Sequence, residues 1–233
     1  MDRRKFSSLG LTMVGAGLLG PGRVQALSLE DLSQAEAVRG LKAALEQGAR
    51  NAVAQLGQVN GFLGNDKVRI PLPRQLLDAE SWLRRFGQGE RLDELVTSMN
   101  RAAEAAVPLA QDLMLGAVRA MTVADAKKIL GGGDTSVTGF FAEKTRTPLA
   151  QKFLPVVTAS TEKVGVATQY NQLAGRAADY GLMSRDDARI ETHVTARALD
   201  GLYYVIGEEE RKIRRDPVGT GSALLGKVFG ALR

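Results

Sequence analysis

The sequence predicts an all-α protein with one domain of about seven or eight helices behind an N-terminal leader. Apolar residues recur at helical spacing through most of the chain, between capping residues and Gly or Pro stops. The clearest change of pattern lies at residues 58–73, where turn signals predict a short extended or hairpin segment. The 207 residues after the leader can bury a sizeable core as a single domain, residues 27–233.

Residues 1–26 resemble a cleavable export signal. They contain Arg3, Arg4, a glycine-broken apolar run between residues 9 and 20, and a small-residue cleavage site ending at Ala26. The paired arginines and the weakly apolar run favour twin-arginine export. Because about 12 residues span only roughly 18 Å of a bilayer core of about 30 Å, the run is too short for a membrane helix. We therefore expect cleavage after Ala26 and a periplasmic mature protein without a membrane span.

The first predicted helix begins at a capping box formed by Ser33 and Glu36 and ends at Gly57. One face of this helix is apolar at 100° per residue. That face contains Val38, Leu41, Leu45, Ala49, Ala52 and Leu56.

Pro73 is predicted to open the second helix, which ends at Gly87 and Gly89. Its apolar side chains are expected to pack inward around the single tryptophan, Trp82. These side chains are Leu76, Leu77, Leu83 and Phe86.

A long helical pattern starts at Leu92 and keeps its phase across Pro108, so one helix kinked at this proline is expected. The apolar stripe consists of Leu95, Met99, Ala103, Ala106, Ala110, Leu113, Ala117 and Met121.

Five further helices are predicted in the second half. Thr122 and Asp125 cap a short helix that ends at three glycines, and Asp134 or Thr135 starts the next. Thr147 is expected to cap another helix with Pro148 at its first position. The last long helix is predicted at about 188–215, opened by Asp186 or Asp187 and followed by Pro217. A C-terminal amphipathic helix is expected to dock on the domain through Leu224, Leu225, Val228, Phe229 and Leu232.

Composition argues against several function classes. The chain has 31 Lys and Arg against 26 Asp and Glu, and the leader holds four of the former and one of the latter, so the mature net charge is only +2. Nucleic-acid binding is not expected, since it normally needs a concentrated basic patch. Because the chain has no cysteine and one histidine, we expect no disulfide, metal or cofactor site. No catalytic constellation is apparent either, which makes an enzyme the least favoured function.

Several short sequence words, in order and at similar spacing, resemble a bacterial family of proteins, domain-of-unknown-function family 4197. They are GLKAAL (40–45), IPLP (70–73), SMNRAAE (98–104), AKKILGGGDT (126–135), KTR (144–146) and ALDGLYY (198–204). The resemblance covers nearly the entire mature chain and implies an exported, mostly helical domain. The family has no assigned activity, so it brings no catalytic residue or cofactor.

The main candidate binding surface is a polar stripe on the last long helix. His193, Arg197, Asp200 and Tyr204 are predicted to project opposite the core-facing residues of that helix. Such a stripe could bind an anionic group or a partner helix. The alternative is an ordinary solvated helix face.

Weaker candidates come from the family words. Asn100 is expected to hydrogen-bond a neighbouring helix or loop, whereas Arg101 points away from the core stripe. Residues 131–133 with Asp134 form either an anion-binding helix start or a flexible joint. Lys144 and Arg146 are expected to close a helix C-terminus.

We therefore expect an exported binding or interaction module, acting with an envelope protein in envelope assembly or maintenance. The alternative is a carrier of a small apolar or lipidic ligand held between helices, which requires a cavity. An enzyme of unknown class is the third possibility.

Overall fold

The computed structural model describes residues 34–186 and 188–216, and within these ranges the protein is all-α, as predicted. Eight α-helices lie in this part of the chain. They are α1 Gln34–Leu56, α2 Arg74–Arg85, α3 Gly89–Ala106, α4 Ala110–Arg119, α5 Val123–Leu130, α6 Ser136–Thr161, α7 Gly165–Asp179 and α8 Ile190–Arg215. The predicted leader, the Ser33 cap, Asp187 and the C-terminal amphipathic helix lie outside the described residues and stay predictions.

The centre of the bundle is the pair α6 and α8. The α3 helix packs on both, while α1 packs on α4 and α8. The predicted apolar face of α1 is confirmed, because its residues from Leu41 to Leu56 are buried and Val38 packs at the edge of the core. On α8, the predicted inward residues are also buried. These two helices show a single apolar face, which the 3.6-residue period reveals directly.

The helix predicted to continue across Pro108 is divided in two. A 3-10 turn, Val107–Leu109, joins α3 to α4, and Pro108 is exposed as expected. The buried row continues as Ala110, Met114 and Val118, whereas Leu113 and Ala117, which were predicted in it, are only partly buried. The tighter turn rotates the following helix slightly, and this changes which residues face the core.

The helix start predicted at Thr147 and Pro148 is wrong. The α6 helix runs through both Pro148 and Pro155, so Lys144 and Arg146 lie in its middle and not at a C-terminus. Its buried residues recur every four positions, as Val137, Phe141, Thr145, Leu149, Phe153, Val157 and Thr161. Both prolines lie outside this row. The free energy gained by burying the row compensates for the backbone hydrogen bonds that a proline removes.

The inward packing predicted for α2 is confirmed for Leu76 and Leu83, which are partly buried against the core, and is wrong for Leu77, Trp82 and Phe86. No residue of this helix is buried, and Leu77, Trp82 and Phe86 are 43%, 60% and 64% exposed. The Trp82 and Phe86 rings contact each other, with centroids 4.4 Å apart. The helix does pack on α3. No second layer covers its outer side among the described residues, so its apolar side chains remain accessible.

The segment between α1 and α2, predicted as a short extended or hairpin segment at residues 58–73, is a loop built from consecutive turns, and no hairpin forms in it. Phe62, Val68, Ile70 and Leu72 anchor this loop in the core. The Phe62 ring lies so close to α8 that a Cβ on Gly201 would come within 2.7 Å of it. Glycine at that position therefore permits the loop to reach the bundle.

Candidate functional site

The predicted polar stripe on α8 is present, but its four residues do not form one site. Arg197, Asp200 and Tyr204 are exposed and His193 is half-buried. Arg197, Asp200 and His193 line a polar cleft of about 660 Å³, which Arg74 also lines. Tyr204 lies farther along the helix and is not among the residues that line this cleft.

Asp200 of this polar cleft is already paired with arginines of the chain itself. Asp200 accepts a 2.6 Å hydrogen bond from Arg146 Nη2 and lies 3.8 Å from Arg197 Nη1. The Arg146 guanidinium also sits 5.3 Å from the centre of the Tyr203 ring. Because two arginines share one carboxylate in solvent, the cluster resembles a surface ion-pair network.

His193 has a structural contact that the sequence did not indicate. Its Nε2 lies 2.9 Å from the carbonyl oxygen of Pro71, two residues before the Pro73 cap of α2. The histidine therefore ties α8 to the segment that positions α2. Within the described ranges, no group of three His, Cys, Asp or Glu side chains could hold a metal ion.

Asn100 makes the contacts to a neighbouring loop that the sequence predicted. Its side chain is fully buried, its Oδ1 accepts from the N–H of Ile70 at 2.8 Å, and its Nδ2 donates to the Ile70 carbonyl at 3.0 Å. Nearby, Arg101 pairs with buried Glu104 at 2.6 Å and donates to Asn60. Glu104 in turn accepts the backbone N–H groups of residues 62 and 63. These α3 residues therefore clamp the loop that leads into α2.

The start of α6 after Asp134 is already occupied by a carboxylate of the chain itself. Buried Glu210 of α8 accepts from the backbone N–H groups of Val137 and Thr138 at 3.1 and 3.2 Å. Arg214 pairs with this carboxylate at 3.0 Å. An anion would bind to the free N–H groups of a helix start, and Glu210 already accepts from these groups here. The joint at residues 131–134 therefore has a structural role.

An apolar cleft of about 350 Å³ lies between α2 and α7, over the start of α3. Its walls are almost entirely hydrocarbon. They are formed by Leu76, Leu83, Leu92, Val166, Leu173, Ala174, Ala177 and Met183, with the Tyr170 ring. A concave site of this size and character is typical of small-molecule binding.

Polar groups are confined to a few positions of this cleft. They are Gln75, Gln88, Gln169, the Tyr170 hydroxyl and Arg91. The Tyr170 hydroxyl donates to Gln75 Oε1 at 3.2 Å, linking α7 to α2. Arg91 donates to Gln88 Oε1 at 3.2 Å. An apolar cleft with a few hydrogen-bonding groups can both bind and orient a ligand.

A family model described as a protein of unknown function, DUF4197, matches residues 31–230. The chain belongs to the DUF4197 family. No curated protein and no solved structure matches it. Both walls of the apolar cleft lie inside the part of this DUF4197 protein that the family model covers.

Sequence reasoning missed the apolar cleft of the DUF4197 protein. The α7 helix is absent from the predicted elements, since Gly165, Gly175 and Gly181 are typical of breaks in a helical pattern, whereas the helix starts at the first and passes through the second. Gly181 ends it with a φ of +72°. A usable signal was the spacing of Val166, Tyr170, Leu173 and Ala177, which places four apolar residues on one side of a helix.

None of the described helices of the DUF4197 protein combines the length and the hydropathy needed to cross a membrane.

Proposed function

We propose that this DUF4197 protein is an exported binding module that holds a small apolar ligand in the cleft between α2 and α7. The observation that supports this function is the cleft itself, about 350 Å³ with walls of Leu, Val, Ala and Met side chains. Export is inferred from Arg3, Arg4 and the apolar run of the leader.

The physical reason is the free energy of apolar surface in water. Covering such surface is favourable by roughly 25 cal/mol per Å². The cleft walls are open to solvent on one side, so an apolar ligand removes from water both its own surface and that of Leu76, Leu83 and Leu173.

The way α2 is held supports the same function. This helix buries no residue, and its position depends on the clamped loop before it, on α3 and on the Gln75–Tyr170 contact. Moving this wall outward to admit a ligand would separate the partly buried Leu76 and Leu83 from the core but would expose no fully buried residue of α2.

A second candidate function is binding to an envelope protein in envelope assembly or maintenance. Its supporting observation is the exposed aromatic pair Trp82 and Phe86 on the outer side of α2. Aromatic side chains in an exposed apolar patch are typical of protein interfaces.

Titration of the purified full chain with the apolar fluorophore N-phenylnaphthylamine tests the ligand-binding function. We expect saturable, single-site binding. Ala177→Phe, which places a ring in the cleft, should abolish it, whereas Ala54→Phe, which adds the same ring on an exposed site of α1, should not. Absence of saturable binding, or equal binding by both variants with unchanged thermal melts, would refute the proposal.

The double variant Trp82→Ser, Phe86→Ser separates the two functions. If the apolar cleft is the functional site, this variant retains fluorophore binding. If the outer side of α2 is an interface, the variant loses crosslinking to an envelope protein in cells, while Ala177→Phe keeps it.

A further inference from the structure

The geometry of the apolar cleft points to a single-chain amphiphile with a carboxylate head, and we propose this as the ligand class. The inference rests on the proposed function and specifies it. The hydrocarbon chain would lie between α2 and α7, and the carboxylate would pair with Arg91 at the start of α3.

Arg91 is the one charged residue among the described residues that line the cleft. Its guanidinium donates to the neutral Gln88 amide, and no carboxylate lies within ion-pair distance of it in the described part of the chain. By contrast, Arg84 at the end of α2 is engaged by Asp93 at 2.6 Å and by Glu80 at 2.9 Å. Arg91 therefore retains most of its donors for an incoming anion, whereas Arg84 is already paired with two carboxylates.

The chemistry of the head group follows from the guanidinium. Arginine presents paired N–H donors that match the two oxygens of a carboxylate. A cationic head would be repelled by Arg91, and an uncharged head would gain no ion pair with it. The Gln88 amide, whose Oε1 accepts from Arg91, can donate a further hydrogen bond to the same head group through its Nε2.

The volume of the cleft favours one hydrocarbon chain. About 350 Å³ lies near the lower end of the roughly 300–1,000 Å³ typical of small-molecule sites. A two-chain phospholipid would require a larger space. The inference is therefore restricted to single-chain acids, and membrane lipids serve as a comparison in the test.

The experiment is displacement of bound N-phenylnaphthylamine from the full chain. The competitors are dodecanoate, dodecanol and dodecylammonium below their micelle concentrations, and vesicles of phosphatidylglycerol. We expect dodecanoate to compete at least about tenfold better than the other two single-chain compounds and the vesicles to compete weakly. The variants are Arg91→Gln, Arg91→Lys and Arg85→Gln, the last removing an exposed charge of α2 that is outside the cleft lining.

Arg91→Gln should remove the preference for dodecanoate over dodecanol, with each competitor measured against the fluorophore affinity of the same variant. Arg91→Lys should restore part of the preference, and Arg85→Gln should behave as the unmodified chain. Equal competition by acid and alcohol, or an unaltered preference in Arg91→Gln, would overturn the inference while the proposed function stands. Failure of the unmodified chain to bind the fluorophore would instead contradict the proposed function.

Discussion

The carboxamide of Asn100 hydrogen-bonds both backbone groups of Ile70, with the Oδ1 at 2.8 Å from the N–H nitrogen and the Nδ2 at 3.0 Å from the carbonyl oxygen. Asn100 thus gives an isolated loop residue the pairing that a neighbouring strand would supply. His193 contacts the next carbonyl, that of Pro71. Together these contacts fix the point from which α2, one wall of the apolar cleft, begins.

Replacing Asn100 should reduce both stability and ligand binding. Asn100→Ala leaves the buried N–H and carbonyl of Ile70 without partners, which we expect to cost about 2 to 4 kcal/mol of unfolding free energy. Urea denaturation measures this loss, and Gln151→Ala on an exposed site of α6 is the control. Native-like stability in Asn100→Ala would show that the loop is held by other contacts.

Replacing Glu210 should destabilise the start of α6. Glu210→Gln keeps the shape of the side chain but removes the negative charge of the carboxylate that accepts from Val137 and Thr138 and pairs with Arg214. We expect the free energy of unfolding to fall by about 1 to 3 kcal/mol. Glu208→Gln, at a more exposed ion pair with Arg211, should cost at most about 1 kcal/mol. Equal melting temperatures for the two variants would contradict the buried capping role.

Substitutions in the polar stripe of α8 should lower the free energy of unfolding less than substitutions on the core face of the same helix. Leu202 is fully buried, so Leu202→Ala should lose about 2 to 5 kcal/mol through a cavity. The double variant Arg197→Ala, Tyr204→Ala should lose at most about 1 kcal/mol, because its side chains are exposed. Thermal melts compare them. Reduced capture of an envelope protein by the double variant would identify the stripe as a recognition surface, and unchanged capture would leave it an ordinary solvated face.

Elements with one apolar face and clear stops were predictable. The α1 and α8 helices and the Thr122–Asp125 capping box follow from local patterns, and the Asn100 contact follows from a half-buried amide that needs partners. The continuation of α6 through Pro148 was not predicted. A proline near a capping residue locally indicates a helix start, but the long buried row of α6 stabilises one continuous helix.

The apolar cleft depends on tertiary structure that the local pattern does not contain. Gln75 and Tyr170 lie far apart in the sequence and meet across the cleft. The apolar residues of α2 show which sides of the helix avoid water, but not whether another layer covers them. That difference separates a core helix from the wall of a binding site.

The leader should direct export of the folded chain. Replacing both Arg3 and Arg4 by lysine should strongly lower the periplasmic yield, because the paired arginines are the feature that twin-arginine signals share. Cell fractionation with quantitative blotting measures this, and Arg23→Lys is a control that keeps the pair. Unchanged periplasmic yield would refute twin-arginine export.

The most direct test of an apolar ligand in the cleft is a crystal structure of the full chain with dodecanoate that carries bromine on its terminal carbon. Anomalous scattering locates the bromine independently of the protein coordinates. We expect bromine between α2 and α7, with the carboxylate toward Arg91. Bromine bound only at other surfaces, or an empty cleft at saturating ligand, would contradict it.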